Sequence, residues 1–273
     1  MKASFAQILA ATDFSDSATC ALVHARKFAK RFGSRLSLLH ADGLLVHAKE
    51  GSPQFKAIES AVQEYRSQHL GDFPEATTLL SAEPAADAIL NAVRNLNADL
   101  IVMGTRGRTG VARVLLGSTA EKVIRHTTRP VLTTKPCDLH QVDRSPVARI
   151  LCPVNYTNVG RSAFDYAVSV AEHFKAELLV LYIIERASTD SLGTEIDRLT
   201  EWAGDVPKSV LLRLLIERGE AAQMVLSYGE QKEIDLLIIG GQRRQSRNVT
   251  VLGSTTEALT RSAPWPVLMV PVA

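Results

Sequence analysis

An internal repeat constrains this sequence more than any other feature. Ile8-Leu9-Ala10-Ala11-Thr12-Asp13 returns as Ile150-Leu151-Cys152-Pro153-Val154-Asn155, an offset of 150 − 8 = 142. The stretch that follows keeps its apolar positions: Ala21, Ala25, Phe28, Ala29 and Phe32 correspond to Ala163, Ala167, Val170, Ala171 and Phe174. Their spacing of i, i+4, i+7, i+8 and i+11 marks one buried face of an α-helix. Farther on, Asp99-Leu100-Ile101-Val102-Met103-Gly104 matches Asp235-Leu236-Leu237-Ile238-Ile239-Gly240 at an offset of 235 − 99 = 136, so the second copy is shorter by 142 − 136 = 6 residues. The correspondence continues through Leu116–Thr119 against Leu252–Thr255 and ends with Pro130-Val131-Leu132 against Pro266-Val267-Leu268. The 273 residues thus hold two copies of one unit.

Within a copy, short apolar runs alternate with amphipathic stretches, the pattern of βαβ units with helices on both faces of a parallel sheet. In the first copy the pattern predicts strands near 7–12, 35–41, 76–81, 99–103 and 130–134, and helices near 16–32, 54–69, 85–96 and 118–127. Pro53 and Pro84 suit first-turn positions. Leu36-Ser37-Leu38-Leu39 and Leu100-Ile101-Val102-Met103 are apolar enough for central strands. The fold class is α/β: two tandem, open, Rossmann-like sandwiches, each with a five-stranded parallel sheet. The boundaries expected are 1–136 for the first domain, 137–147 for a polar, proline-flanked linker, and 148–273 for the second domain.

A formal net charge of +2 lacks the basic excess of a nucleic-acid-binding protein, so no nucleic-acid partner is expected. The apolar segment near the N-terminus is too short for a signal sequence or a membrane span, which points to a cytoplasmic protein with no membrane partner. Cys20, Cys137 and Cys152 form no CxxC pair and are odd in number, arguing against a disulfide framework or a zinc site and for buried, inert thiols.

The chemistry concentrates after the fourth strand. Gly104-Thr105-Arg106-Gly107 is followed by nine residues and then Gly117-Ser118-Thr119 at the start of a helix. Open α/β sheets bind ligands beyond the carboxyl ends of their strands. Glycines at 104, 107 and 117 remove the Cβ atoms that would hinder positive φ or keep a phosphate from the backbone, and a helix start favours an anion. Arg106, Arg108 and Arg113 add positive charge. The competing account makes the glycines turn residues and Ser118-x-x-Glu121 a capping box. No G-x-x-x-x-G-K-[ST] loop is present, and no G-x-G-x-x-G follows the first strand. Asp13, at the same sheet edge, offers acceptors for ribose hydroxyls or an adenine amino group, or else simply starts the first helix.

The Thr12-Asp13-x-Ser15 start, the Gly104-x2-Gly107-x9-Gly117-Ser118 loop and the closing Pro-Val-Leu strand together resemble the universal stress protein family in its tandem form. The resemblance spans both copies. It implies an adenine nucleotide alpha hydrolase-like fold and, in one branch of the family, ATP binding. Ala11, Thr12 and Asp13 would then line the adenosine site, with Ala41 and Met103 against the base. Gly104, Arg106, Gly107, Gly117, Ser118 and Thr119 would hold the phosphates. Such sites usually carry a divalent metal such as Mg2+, for which the sequence supplies no independent ligand cluster. The family's dimers imply that the copies pair intramolecularly through strands 130–134 and 266–271, with a homodimer also open.

The second copy departs at the motif. Asn155 replaces the aspartate, Arg243 stands opposite Gly107, and Ser246 opposite Gly110, while Gly240 and Gly253-Ser254 remain. An arginine at a position needing positive φ would obstruct the binding mode, so little or no ATP binding is expected there. Arg243, Arg244 and Arg247 read as an exposed basic loop. No histidine falls in a metal-binding pattern; His40 and His126 read as structural, and no residue is placed by sequence to activate water. The leading reading is an ATP-binding, nucleotide-responsive stress protein acting on an unidentified protein partner. A scaffold without nucleotide, and a slow ATPase or nucleotidyl or phosphoryl transferase, are the alternatives.

Overall fold

The computed structural model describes residues 4–46, 48–105, 116–185, 191–241, 243–246 and 249–271. It divides into two compact units at Ser145/Pro146.

The first unit runs β1 (Gln7–Thr12), α1 (Asp16–Phe32), β2 (Arg35–Ala41), α2 (Pro53–His69), β3 (Thr77–Ser81), α3 (Ala85–Leu96), β4 (Leu100–Gly104), α4 (Ser118–His126), β5 (Val131–Thr134) and α5 (Leu139–Arg144). A single 3-10 turn, Gly43–Val46, follows β2. Its strands lie in the order β3-β2-β1-β4-β5, and every pairing is parallel. The second unit repeats the plan with β6 (Arg149–Val154), α6 (Asn158–Phe174), β7 (Glu177–Ile184), α7 (Leu192–Ala203), β8 (Leu211–Arg218), α8 (Ala221–Gln231), β9 (Leu236–Gly241), α9 (Ser254–Ser262) and β12 (Val267–Pro271). Its order is β8-β7-β6-β9-β12, again all parallel. Each sheet has five strands, as the repeat pattern predicts. Between β9 and α9 the second unit has a two-stranded antiparallel hairpin, β10 (Arg243–Ser246) and β11 (Val249–Leu252).

The order of the first sheet places the site. From β1 the chain crosses to β2 and β3 on one side and then returns to β4 on the other, so the direction of strand order reverses between β1 and β4. At such a reversal the loops leaving the two carboxyl ends part and open a crevice. Ile8, Leu9 and Ala10 pair with Leu100, Ile101 and Val102, and all six are buried. Apolar runs without alternation are what strands covered on both faces require. Here α1 and α2 pack against one another, as do α3 and α4.

An aspartate repeated in both copies anchors the opposite end of these strands. Asp99 accepts the Gln7 amide N–H on Oδ2 at 3.0 Å and donates its own N–H to the Gln7 carbonyl at 2.8 Å. Asp235 does the same for Arg149, at 2.8 and 2.9 Å, and also accepts from the Ala148 N–H. The carboxylate satisfies strand-end donors that would otherwise lie unpaired at a half-buried edge.

Helix ends follow local rules with instructive exceptions. Ser15 caps α1, accepting from the Ala18 N–H, and Thr157 caps α6, accepting from the Gly160 N–H. α1 ends at Gly33 with φ +64°, a conformation glycine adopts without penalty; its counterpart after α6 is Lys175, with φ +57°. Pro53 opens α2 within its first turn, whereas Pro84 precedes the first turn of α3 and stands at its N-cap.

The expectation of three inert thiols is overturned. Cys20 in α1 and Cys137 after β5 form a disulfide, with Cα atoms 5.9 Å apart. The parallel topology causes this meeting: α1 packs along β4 and β5, so the end of β5 arrives beside α1. Nothing in a separation of 117 residues reveals that. The unpaired cysteine is Cys152 in β6, wholly buried, where burial pushes its thiol far above the ordinary range.

Two predictions follow from helix energetics and burial. Left-handed backbone costs a side-chain-bearing residue about 1–2 kcal/mol, against about 0.4–1 kcal/mol of added unfolded-state freedom for glycine. Lys175→Gly is therefore expected to raise unfolding stability in urea by about 0.5–1 kcal/mol. His24 on α1 is buried, which lowers its pKa from 6.5 to about 3, with the Lys27 charge adding to the effect. The unfolded chain takes up this proton below about pH 6.5 and the folded one does not, so the contribution is complete above 6.5 and fades as pH falls toward 3. Between pH 7 and 5 the wild type should lose about 2 kcal/mol more than His24→Ala in urea unfolding.

Candidate functional site

At the crevice between β1 and β4 lies a cavity of about 210 Å3. Ala11, Thr12 and Asp13 enter it from β1, Leu39 and Ala41 from β2, and Met103, Gly104 and Thr105 from β4. Ala18 of α1, Ala85 and Ile89 of α3, and Gly117, Ser118, Thr119 and Ala120 at the start of α4 complete it. Nine of the residues singled out in the sequence therefore share one cavity: Ala11, Thr12, Asp13, Ala41, Met103, Gly104, Gly117, Ser118 and Thr119. Arg106 and Gly107, with Arg108, Gly110 and Arg113, lie outside the described residues. Thr105, Ala18, Leu39, Ala85, Ile89 and Ala120 were not singled out. The signal for Ala85 and Ile89 was available, since α3 follows β3 and its first turns must begin at the same sheet edge.

The walls are chemically divided. Ala11, Leu39, Ala41, Ile89 and Met103 offer apolar surface, while Asp13, Thr105, Ser118 and Thr119 offer polar groups. A flat apolar ring and a charged group fit opposite ends of such a space.

Asp13 is held by the turn it starts. Its Oδ1 accepts from the Ser15 N–H at 3.1 Å and from the Ser15 hydroxyl at 2.6 Å. Phe14 between them has φ +65°, unusual for a residue with a side chain. Aromatic packing over-determines this conformation: the Phe14 ring stacks on His40 at 4.3 Å and meets Tyr65 edge-on at 5.1 Å. His40 Nδ1 donates to the Thr12 carbonyl at 2.9 Å, and the Tyr65 hydroxyl donates to Thr19 at 2.9 Å. Burial is also what raises the Tyr65 pKa. Both His40 and Tyr65 thus brace the loop from behind without lining the cavity. The second unit rebuilds this group with different rings, Tyr156 stacked on Tyr182 at 4.5 Å and edge-on to Trp202 at 6.0 Å. Burial there pushes the Tyr156 hydroxyl up to about 12.

Packing and backbone geometry give reasons for two of the glycines. A Cβ on Gly104 would stand 2.5 Å from the Ser17 hydroxyl and 2.9 Å from the Ala18 amide nitrogen, so this glycine admits α1 against the end of β4. Gly117 has φ −61° and ψ 145°, which any residue adopts; positive φ is not its reason. Nor is there a capping box. Gly117 itself is the N-cap of α4 and has no side chain to cap with, and Ser118 is already the first helical residue. Glu121 turns away to pair with Arg125 at 2.7 Å. The register explains this: a capping box needs serine at the cap, and here serine is one residue late. The first turn of α4 therefore lines the cavity with its N–H groups uncapped by any side chain among the described residues. The Thr105 carbonyl accepts from the Gly117 N–H at 2.8 Å, tying the end of β4 to the start of α4. Its own N–H and hydroxyl both donate to the Thr134 carbonyl, at 2.8 and 3.1 Å.

The second unit has a cavity of about 700 Å3 at the corresponding edge, lined in part by Pro153, Asn155, Glu185, Gly240, Ser254 and Glu257. Asn155 preserves the turn geometry, its Oδ1 accepting from the Thr157 hydroxyl at 2.5 Å, but without a charge. Gly253 repeats Gly117 almost to the degree, with φ −61° and ψ 143°. Of the arginines expected in a basic loop, Arg243 and Arg244 lie instead in strand β10 of the hairpin, so the position of Arg243 needs no positive φ, and Arg247 lies outside the described residues. Glu185, at the position of Gly43, brings a carboxylate to the cavity that the first unit lacks.

Residues 4–135 and 146–271 each match the family model described as the universal stress protein family. A universal stress protein of Mycolicibacterium smegmatis is 24% identical over 291 residues, covering 96% of both chains. A shorter one from Thermus aquaticus is 35% identical over 143 residues, covering 48% of this chain and 99% of its own length. The crystal structure of a universal stress protein from Archaeoglobus fulgidus DSM 4304 superposes with a TM-score of 0.75 at 20% identity, over 97% of this chain and 98% of the other.

The packing role of Gly104 is directly testable. Gly104→Ala is expected to destabilise the chain by about 1–3 kcal/mol in urea unfolding, because the atoms it meets include helix backbone that cannot rotate aside.

Proposed function

We propose, from the premise that this chain belongs to the universal stress protein family, that its first repeat binds ATP and that occupancy alters how the protein presents itself to a partner. One observation carries the reading. The uncapped first turn of α4 opens into a cavity whose other end is apolar and bordered by a carboxylate. Unsatisfied N–H groups and the positive helix end suit a polyphosphate. Ala11, Leu39, Ala41 and Met103 suit a purine, and Asp13 suits a ribose hydroxyl or the adenine amino group.

The residues present fit the nucleotide by donor chemistry. Ser118 and Thr119 would supply backbone amides and hydroxyls, with Arg106 and Gly107 completing the loop. Among the described residues no group of three or more histidine, cysteine, aspartate or glutamate side chains could hold a metal ion. Mg2+ would take its ligands from the phosphates and water. In the second repeat Asn155 removes one charge-assisted acceptor, while Glu185 brings negative charge where a polyphosphate would need the opposite. ATP is therefore assigned to the first repeat alone.

Calorimetric titration of the full chain should give one ATP per chain. Asp13→Asn keeps the acceptor that Asn155 shows to be sufficient for the turn and removes only the charge; a loss of about tenfold in affinity is expected. Ser118→Pro deletes an N–H at a position where proline continues the helix, so affinity should fall while the melting temperature holds. Two ATP per chain, or equal losses from Asn155→Ala, would reject the assignment.

A further inference from the structure

We propose that the Cys20–Cys137 disulfide is a reversible thiol-exchange site, entered at Cys137, that clasps and releases the segment leading from the first repeat to the second.

The two sulfurs have unequal surroundings. Cys20 lies within α1 and is 2% exposed. Cys137 is half-buried, with Pro136 and Asp138 exposed on either side. Disulfides exchange by attack of a thiolate on the accessible sulfur, so the entry point is Cys137. Cys152 does not compete, being fully buried with its thiol held protonated.

The bond secures a segment with little else to hold it. Asp138 caps α5, accepting from the N–H groups of His140 and Gln141 at 3.0 and 3.2 Å. None of the residues of α5 is buried. Leu139 and Val142 are only half-buried, and the polar ties of α5 to α1 lie near the surface. Lys27 donates to the carbonyls of Val142 and of Ser145, the latter at 2.6 Å, and Arg26 lies 3.4 Å from the Asp143 carboxylate. Contacts of this kind hold an exposed helical turn weakly. The disulfide is the strong anchor, and its opening frees residues 138–145.

The opening should stop there. β5 ends at Thr134, three residues before the bond, and Val131–Thr134 are all buried. The Thr134 hydroxyl donates to the Ser17 carbonyl at 2.9 Å, and Thr105 is tied to the Thr134 carbonyl. The end of β5 is thus joined to α1 independently of sulfur, and the cavity walls stay in place. The clasp governs the connection between repeats rather than the site, so it stands or falls separately from the nucleotide assignment.

The reaction needs only a low-molecular-weight thiol, RSH. Its thiolate attacks Cys137 Sγ, the Cys137–Cys20 bond breaks, and Cys20 departs with the electron pair and takes a proton. A second thiolate attacks the R sulfur of the mixed disulfide, forming RSSR and releasing Cys137 as a thiolate that is protonated in turn. Two RSH thus deliver two electrons to the protein disulfide, and RSSR reverses the sequence.

The test uses the full-length chain in glutathione buffers of graded oxidised-to-reduced ratio. Peptide mass mapping without reductant should find the Cys20–Cys137 link in oxidising buffer, its loss in one two-electron step, and glutathione on Cys137 in between. Trypsin cleavage after Arg144 should accelerate at least tenfold on opening, while ATP affinity changes less than twofold. Cys137→Ser should be cleaved rapidly in either buffer, and Cys20→Ala, lacking the resolving thiol, should retain glutathione on Cys137. Glutathione carried on Cys20, absence of the link in oxidising buffer, or a cleavage rate indifferent to reduction each overturns the proposal.

Discussion

The approach of α1 to the end of β4 is the constraint on which the site depends. Parallel strands joined by helices deliver all their carboxyl ends to one edge, but a usable crevice needs the first helix to leave β1 closely and at a set angle. Gly104 permits this because a Cβ there would overlap the first turn of α1. Gly240 repeats the arrangement, since a Cβ there would stand 2.5 Å from Val159 Cγ1. With α1 so placed, Thr134 reaches the Ser17 carbonyl, Thr105 binds Thr134, and Gly117 returns to Thr105. A chain of short-range contacts thus converts one absent methyl into the position of the uncapped α4 terminus.

The two repeats show which parts of this machinery are separable. Asp99 and Asp235 clamp the strand starts alike, and the turn after β1 survives the change from Asp13 to Asn155 because an amide oxygen accepts as a carboxylate does. Behind it, Phe14, His40 and Tyr65 give way to Tyr156, Tyr182 and Trp202, a different set of rings filling the same supporting role. What diverges is chemistry at the cavity itself: the charge at Asn155 and a carboxylate at Glu185.

Most of the fold was legible because its signals are local and doubled. The apolar face from Ala21 to Phe32 occurs again from Ala163 to Phe174, and strand runs such as Leu100–Met103 have no competing reading. That nine of the residues singled out would share one cavity was legible for the same reason, since each sits next to a strand end or a helix start that sequence marks. The reasons behind them were less so. Gly104 reads as a phosphate-loop glycine, and its contact with the first turn of α1 is a packing reason that only the fold supplies; Ser118 and Glu121 have capping-box spacing, yet the helix begins one residue earlier than that motif requires.

By itself, then, the sequence determined the repeat, the five-stranded parallel sheet of each copy and the sheet edge where chemistry gathers, because periodicity and turn residues act over a few neighbours. Tertiary structure alone decided what meets across long separations. It brought Ala85 and Ile89 of α3 to the cavity, set Phe14 on His40 and Tyr65, and joined Cys20 to Cys137 across 117 residues. Those meetings follow from the order in which strands lie side by side, which no local stretch of sequence contains.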